Sequence, residues 1–476
     1  MISNRLKNQH LLWRAAFGPM TENVNQIQDV SQVDLLKLLI KTSDKKVSFV
    51  HVTDNTTDGL YKGVQDVLQM DKLTKEQRTK MRKQSATDIK NLNLTWLSEM
   101  VNSEAQLREK MSLFWHGHFA CRVVNIFFQQ QLLNVIRQNA LGNFGDLLRE
   151  VSKSPAMLSF LNNQQNKKQH PNENFAREVM ELFTMGRGNY TEHDIKESAR
   201  AFTGWGFNMQ GEFVERKNQH DTGKKTFLGK TGNFNGDDVL NIILEQKATA
   251  HFITKKLYSY LVNEEVDEGQ ITRLADGFYQ SNYNILQLLA DIFSSDWFYD
   301  SKNIGTRIKS PVELIAGIQR MIPMTIGRPE TQLIFQKSLG QLLFYPPNVA
   351  GWPGGKSWID SSTLMLRLRL PQILTFDQEV TLNNRADDDV AMGKEGVDEV
   401  AKSFRVHSKV DWKTVAGAFK KVKRNDLAPY LADCLLQTSS RVPETVMDRY
   451  VDDDSREDFI RTTIVQLMST PEYQLC

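Results

Sequence analysis

Two histidines separated by one glycine have the spacing in this chain that best suits metal chemistry. They are His116 and His118, with Gly117 between them. In a regular helix, side chains two residues apart point about 200° away from each other, so they cannot share one ion. In an extended segment they face the same side. Because glycine tolerates the conformations that end a helix, Gly117 allows this second geometry, and both histidines are candidate ligands.

A predicted helix further along the chain supplies carboxylates for the same chemistry. Asn174, Glu178 and Glu181 are spaced by four and three residues, so they form a polar strip that can converge on one point. Glu178 lies at the edge of the apolar face of this helix, where partial desolvation would raise its pKa. A carboxyl group with a raised pKa suits general acid–base catalysis.

Together these residues define a metal hypothesis. His116, His118 and Glu178 would hold zinc, iron or manganese, because mixed imidazole and carboxylate ligands suit these ions. The candidate catalytic acid–base groups are Glu181, His220 and Asp221. His220 or Asp221 could also complete the metal site. A bound divalent ion lowers the pKa of a water ligand, so the hypothesis predicts a metal-assisted hydrolase.

The same residues also have a structural interpretation. His116 and His118 would then stabilise a helix end, and Glu178 would pair with a buried arginine. The arginines considered for this pair are Arg14, Arg177 and Arg200. Under this interpretation the chain is a non-catalytic binding or assembly protein with a rigid polar core, and its partner is a glycan or an envelope protein.

Four further residues are candidates for lining a substrate cleft. They are Arg177, Trp205, Trp352 and Trp358. Flat aromatic faces stack on sugar rings, whereas tryptophan is more often found in the protein core. The sequence leaves both interpretations open.

A glycine-rich segment that contains Lys356 resembles a nucleotide-binding loop. Residues Ala350–Ser357 read AGWPGGKS, with alanine in place of the first glycine. That chemistry requires a buried strand before the loop and free backbone N–H groups around the phosphates. Pro346 and Pro347 interrupt any such strand, and Pro353 removes one N–H group. A nucleotide-dependent enzyme is therefore the least favoured of the three functions.

Helical periodicity dominates the chain and predicts a mostly α fold, with one large multi-helix domain and a small β-hairpin insertion. Ser103 is predicted to cap the helix that carries the two histidines. Thr191 opens a capping box, and Pro311 suits the first turn of another helix. Strand signals are few, but two short runs within residues 211–229 predict one surface hairpin, with His220 near its tip.

Changes in composition predict the organisation of the 476 residues. Residues 1–377 form the main helical domain, residues 378–397 a polar linker, and residues 398–476 a small helical C-terminal region.

Charge and hydropathy narrow the functional classes. Lys and Arg number 59 against 57 Asp and Glu, which leaves a net charge of only +2. Because no positive excess is present, a general nucleic-acid binder is not expected. No apolar run approaches the length needed to cross a bilayer, so no membrane span is predicted. The N-terminal apolar run is too short for a secretion signal, which predicts a cytoplasmic protein.

Several motifs, taken together and in order, resemble a bacterial family catalogued as domain of unknown function 1800. The motifs are His10-Leu-Leu-Trp-Arg14, Phe114-Trp-His-Gly-His-Phe119, Asn172-Glu-Asn-Phe-Ala-Arg-Glu178, Ala201-Phe-Thr-Gly-Trp205, His220-Asp221, Lys309-Ser-Pro-Val-Glu313 and Pro346-Pro-Asn-Val-Ala-Gly-Trp352. The resemblance covers residues 10–370. It implies no particular reaction, and many relatives look exported, which argues against the cytoplasmic prediction.

Overall fold

Side-chain caps and apolar spacing divide the chain into helices, as the sequence predicts. The computed structural model describes residues 2–53, 73–380 and 404–476. The α-helices in these residues are α1 Asn4–Ala15, α2 Gln32–Ser43, α3 Lys75–Asn102, α4 Gln106–His118, α5 Ile126–Asn139, α6 Phe144–Lys153, α7 Pro155–Phe160, α8 Asn174–Glu178, α9 Glu192–Ala201, α10 Gly236–Leu244, α11 Lys247–Leu261, α12 Glu268–Gln280, α13 Ile285–Phe293, α14 Pro311–Met321, α15 Thr331–Ser338, α16 Ser361–Thr375, α17 Trp412–Ala418, α18 Leu427–Leu435, α19 Glu444–Met447 and α20 Arg456–Met468. The mostly α prediction is confirmed.

The capping box at Thr191 and the helix start at Pro311 were predicted correctly, whereas the capping box at Ser310 was not predicted. Thr191 and Asp194 form a capping box at the start of α9. Ser310 and Glu313 do the same for α14, in which Pro311 takes the first position. The prediction for Ser103 is wrong. This residue ends α3, and its hydroxyl accepts a hydrogen bond from the Ala105 N–H, while α4 begins without a side-chain cap.

The eight short strands of the described residues form four antiparallel pairs. The strands are β1 Trp205–Phe207, β2 Phe213–Glu215, β3 Lys225–Phe227, β4 Lys230–Gly232, β5 Met324–Ile326, β6 Glu379–Val380, β7 Phe404–Arg405 and β8 Ser408–Val410. β1 pairs with β2, and β3 pairs with β4. Small hairpins are present as predicted, but the predicted pairing is wrong, because the two runs belong to two different pairs, and His220 and Asp221 lie in the connection between them.

The central helix of the fold is α4. Every residue of this helix except Gly117 is buried. Trp96 of α3 and Trp115 of α4 are among the largest fully buried side chains. Because α4 runs through the interior, its polar side chains must find partners inside the protein. His116 and His118 are among them.

Residues after the predicted linker contact the main helical region. β8 pairs with β5 of the main region, whereas β7 pairs with β6, which lies in the predicted linker. The backbone groups of Arg307 and Cys476 exchange two hydrogen bonds. Of the predicted linker, only residues 378–380 lie within the described part of the chain. The division into domains stays a prediction. None of the described helices has the length and apolar character that crossing a bilayer requires.

Candidate functional site

The helix that carries the two histidines does not break at the glycine between them. α4 continues through Gly117 to His118. The imidazoles therefore point in different directions, as residues two apart in a helix must. His116 Nε2 accepts a hydrogen bond of 3.2 Å from the backbone N–H of Phe344, whose φ of 68° is unusual for a bulky residue. His116 thus fixes a strained turn, and burial lowers its pKa to about 3.

His118 takes its partners from two other segments. Its Nε2 lies 3.0 Å from the carbonyl oxygen of Phe183, and its Nδ1 lies 3.3 Å from the Nζ of Lys256 on α11. A carbonyl only accepts, so Nε2 carries the proton and Nδ1 accepts from Lys256. Burial, and then the charge of Lys256, hold the pKa of His118 well below its usual value.

The candidate metal ligands are not brought together. His116 packs against Trp96, Phe344 and Trp352, whereas His118 packs among Phe114, Phe119 and Phe183. Within residues 2–53, 73–380 and 404–476, no group of three or more His, Cys, Asp or Glu side chains is placed to hold a metal ion. The residues present therefore do not fit a shared ion.

Glu178 and Glu181 lie where α8 changes into a different helical form. The segment Val179–Thr184 is a π-helix, closed by a hydrogen bond of 2.9 Å from the Met185 N–H to the Met180 carbonyl. Such turns are rare and often occur at functional sites. The wider turn alters the spacing between the two carboxylates, which a regular helix would have placed on one strip.

The two carboxylates of this turn have different environments. Glu181 accepts hydrogen bonds from Arg187 Nε at 2.6 Å and from the Tyr190 hydroxyl at 3.2 Å. Burial and the nearby Glu181 raise the pKa of Tyr190 to about 12, so its hydroxyl remains a donor. Glu178 is half-buried and has no hydrogen-bond or ion-pair partner among the described residues. Its burial, and then repulsion from Glu181, raise its pKa.

The predicted acid–base residues His220 and Asp221 lie in a separate network. His220 Nδ1 donates to the carbonyl of Thr203 at 2.9 Å. Asp221 accepts from Arg200 Nε at 2.8 Å, and this bond lowers its pKa. Asp221 also accepts a hydrogen bond from the Gly223 N–H in the neighbouring loop. The ion pair between Arg200 and Asp221 therefore holds the connection from β2 to β3 against α9.

The candidate cleft residues fall into three groups. Trp205 and Trp358 are buried in the core. Trp352 is partly exposed beside His116. Arg177 donates two hydrogen bonds of 2.9 Å to Glu192. These four residues therefore do not line one common cleft.

The loop that contains Lys356 lacks the geometry of a phosphate-binding loop. Within residues 339–354, all of which the structure describes, no strand precedes the glycines. The segment that follows is a 3-10 helix of only four residues, Gly355–Trp358. Instead of enclosing a ligand, the loop packs on α4, because a Cβ added to Gly351 would lie 2.3 Å from the Gly117 carbonyl oxygen.

A second charged cluster, which we call the Glu313 cluster, consists of Lys110, Arg307, Lys309 and Glu313 in the protein interior. Glu313 accepts two hydrogen bonds of 2.9 Å from Arg307 and one from Lys110. Burial would raise the pKa of Glu313, but these two cations outweigh it and hold the pKa below its usual value. Lys309 does not pair with Glu313. Its Nζ lies 3.7 Å from the ring centres of both Trp13 and Tyr473.

A surface groove of about 800 Å³ lies away from all of these residues. It runs between α3, α14 and the β5–β8 pair, and its walls include Leu97, Arg320 and Lys409. Its volume is within the range of ligand pockets. Two of its lining residues have a shifted pKa, and each has a structural cause. Burial lowers the pKa of Arg320, which donates to the backbone, and hydrogen bonds from Thr414 lower the pKa of Asp411. We therefore place the candidate chemistry at the π-helical turn.

Three residues near that turn were missed in the sequence. Tyr190 and Arg187 lie in the loop after α8, where nothing in the local pattern shows that they reach back to Glu181. Lys256 had a weak signal, because it has aromatic residues four positions before and after it, Phe252 and Tyr260. A lysine between aromatic residues on one face of a helix is expected to be partly buried.

The comparisons with known proteins identify a family. A family model described as "Protein of unknown function (DUF1800)" matches residues 10–475, which is nearly the whole chain. No curated protein and no solved structure is significantly similar to it.

Proposed function

We propose that this chain, which belongs to the DUF1800 family of proteins of unknown function, is a hydrolase that works by general acid–base catalysis without a metal. One observation carries the proposal. Glu178 is a half-buried carboxyl group with a raised pKa and no partner among the described residues, and it lies one turn from Glu181, which two donors hold in place. Pairs of titratable groups in contrasting environments are typical of acid–base sites.

The two carboxyl groups have complementary roles in this proposal. Glu178 keeps its proton closer to neutral pH and donates it to the leaving group. Glu181 is held in place by hydrogen bonds from Arg187 and Tyr190, and it takes a proton from the attacking water. Glycosidic bonds are the substrate class that two such carboxyl groups cleave.

The histidines support the proposal by position only. His118 binds the carbonyl of Phe183, the second-last residue of the π-helical segment, and so holds the turn that carries both glutamates. His116 and His118 have no common target, so no step is assigned to a metal.

The proposal is tested with a panel of aryl glycosides and aryl esters, assayed in the presence of EDTA. We expect hydrolysis that EDTA leaves unchanged, and a fall in kcat of roughly 10²- to 10⁴-fold in Glu178→Gln. Glu173→Gln is the matched control, because Glu173 lies on the preceding turn and pairs with Arg177. It should retain the wild-type rate.

A second measurement does not depend on finding the substrate. Carboxyl NMR should show a pKa of Glu178 above the ordinary 4.5 for this residue type. A pKa at or below that value, activity that EDTA removes, or an unchanged rate in Glu178→Gln would each overturn the proposal. An ordinary pKa together with no hydrolysis across the panel would instead favour the non-catalytic alternative, a glycan- or partner-binding protein with a structural polar core.

A further inference from the structure

Lys256 is held by acceptors from two different elements. It lies on α11 and is partly exposed. Its Nζ donates to the Leu182 carbonyl at 3.2 Å and lies 3.3 Å from His118 Nδ1. The ring of Phe252, one turn earlier on α11, has its centre 4.9 Å from the same nitrogen. The nitrogen is therefore fixed in position although its side chain is long and flexible.

The end of the π-helical segment provides two free carbonyl groups beside Lys256 and His118. The last carbonyl groups of a helix have no partner within it. Leu182 and Phe183 are in this position, and their carbonyls are bonded to Lys256 and His118 respectively. His118 donates from Nε2, so its Nδ1 lone pair faces Lys256. Two N–H groups of Lys256 thus have defined acceptors.

The third position on the Lys256 nitrogen has no acceptor among the described residues. In the ammonium form it carries a proton, and in the neutral amine it is the lone pair. With two N–H groups bonded to Leu182 and His118, that lone pair is directed away from both acceptors. Fixing a nucleophile in one orientation before reaction is a recognised source of rate.

We propose that Lys256 is a nucleophilic amine site that captures small aldehydes as imines. The nitrogen lone pair adds to the carbonyl carbon, and one N–H proton moves to the oxygen to give a carbinolamine. The second N–H proton leaves with the hydroxyl group as water, which forms the C=N bond. No oxidant or reductant is required, and addition of water reverses the reaction. The neutral imine has no N–H group, but uptake of one proton from solvent gives the protonated imine, whose single N–H group can donate to His118 or Leu182. This site is independent of the proposed hydrolase.

The environment also favours the neutral amine. Burial lowers the pKa of Lys256 to about 8. At pH 7.5 roughly a quarter of such a group is neutral, which is about 200-fold more than for an ordinary lysine. Desolvated lysines of this kind are the ones that form Schiff bases in proteins.

The test uses the full chain and propionaldehyde, with cyanoborohydride to trap any imine, followed by peptide mass mapping. Lys255 is the internal control, because it is the preceding residue of α11 and pairs with Glu268. At pH 7.5 we expect Lys256 to be labelled at least ~10-fold faster than Lys255. The labelling rate should reach half of its maximum near pH 8.

A variant keeps the result interpretable. Lys256→Arg retains donors for Leu182 and His118, so the fold should persist while the fast phase of labelling disappears. Equal labelling of Lys256 and Lys255 in the wild-type protein would overturn the proposal. So would a fast phase that survives in Lys256→Arg. Neither outcome bears on Glu178, so failure here is distinct from failure of the proposed hydrolase.

Discussion

The Glu313 cluster contains a buried glutamate and the π-helical turn a half-buried one, yet the pKa values of these two glutamates shift in opposite directions. Burial raises the pKa in both places. Arg307 and Lys110 contact Glu313 directly and reverse the shift, whereas Glu178 has no cation in contact among the described residues. Direct pairing, rather than burial, thus decides whether a carboxyl group is a structural anion or a group that can carry a proton.

The two glutamates also differ in the number of hydrogen bonds that their carboxyl groups accept. Glu313 accepts from the Ser310 N–H as well as from two side chains, so its oxygens are fully used. The Glu178 carboxyl is not used by the fold. A group that the fold does not need, placed at a rare helical turn, is a stronger functional candidate than one in a complete network.

The largest expected effect is the difference between the two glutamates in how much their substitution lowers the free energy of unfolding. Glu313→Gln leaves Lys110 and Arg307 buried without the carboxylate to which both are bonded, so it should lower the free energy of unfolding by about 3–5 kcal/mol. Glu178→Gln removes no contact and should change it by less than about 1 kcal/mol. Urea unfolding of both variants measures the difference. Similar losses in the two variants would break the comparison.

A smaller effect is expected where the loop meets α4. Gly351 has a φ of 82°, and an added Cβ would lie 2.3 Å from the Gly117 carbonyl oxygen. Gly351→Ala should therefore lower the free energy of unfolding by roughly 2–4 kcal/mol, from strain and overpacking combined. Thermal unfolding monitored by circular dichroism measures it.

Gly117→Ala is the matched control for this change. A Cβ at Gly117 meets no atom within 4 Å, and alanine favours a helix. It should leave stability unchanged or raise it by up to about 1 kcal/mol. A large loss in Gly117→Ala would instead support the break at Gly117 that the sequence allowed.

Apart from the control variants, the smallest expected effect is a pH dependence within the Glu313 cluster. Burial lowers the pKa of Lys309 to about 7 from its reference value of 10.5. Between these values the unfolded chain binds more protons at this residue, so stability rises with pH in this window. From pH 7.5 to pH 9 the group should add about 2 kcal/mol to the free energy of unfolding.

Lys309→Met should remove this part of the pH dependence, which urea unfolding at the two pH values would show. Lys256→Met should reduce the pH dependence of the free energy of unfolding by less than Lys309→Met does. Lys256 is partly exposed and its pKa is shifted less, to about 8. A steeper change in Lys256→Met than in Lys309→Met would contradict the contrast drawn between the two regions.

Local features of the sequence were predictable where their energetics are local. The capping box at Thr191 involves groups three residues apart, so its pattern is visible in the chain. The position of Glu178 beside an apolar stripe correctly indicated partial burial and a raised pKa. The prediction for the histidines failed because of a distant partner, since His116 accepts from the backbone of Phe344, whereas the hairpin prediction failed locally. The strand at residues 213–215 pairs with residues 205–207 rather than with the run it was assigned.

The sequence by itself determined the helical character, the family and the residue types available for chemistry, because periodicity and motifs depend on neighbours along the chain. Only the tertiary structure decided which of these residues meet. Continuation of α4 through Gly117 separates the two histidines, and the packing of α11 places Lys256 against His118. Burial and charge pairing are set by contacts between distant segments, and these contacts decide which titratable groups stabilise the fold and which remain free to react.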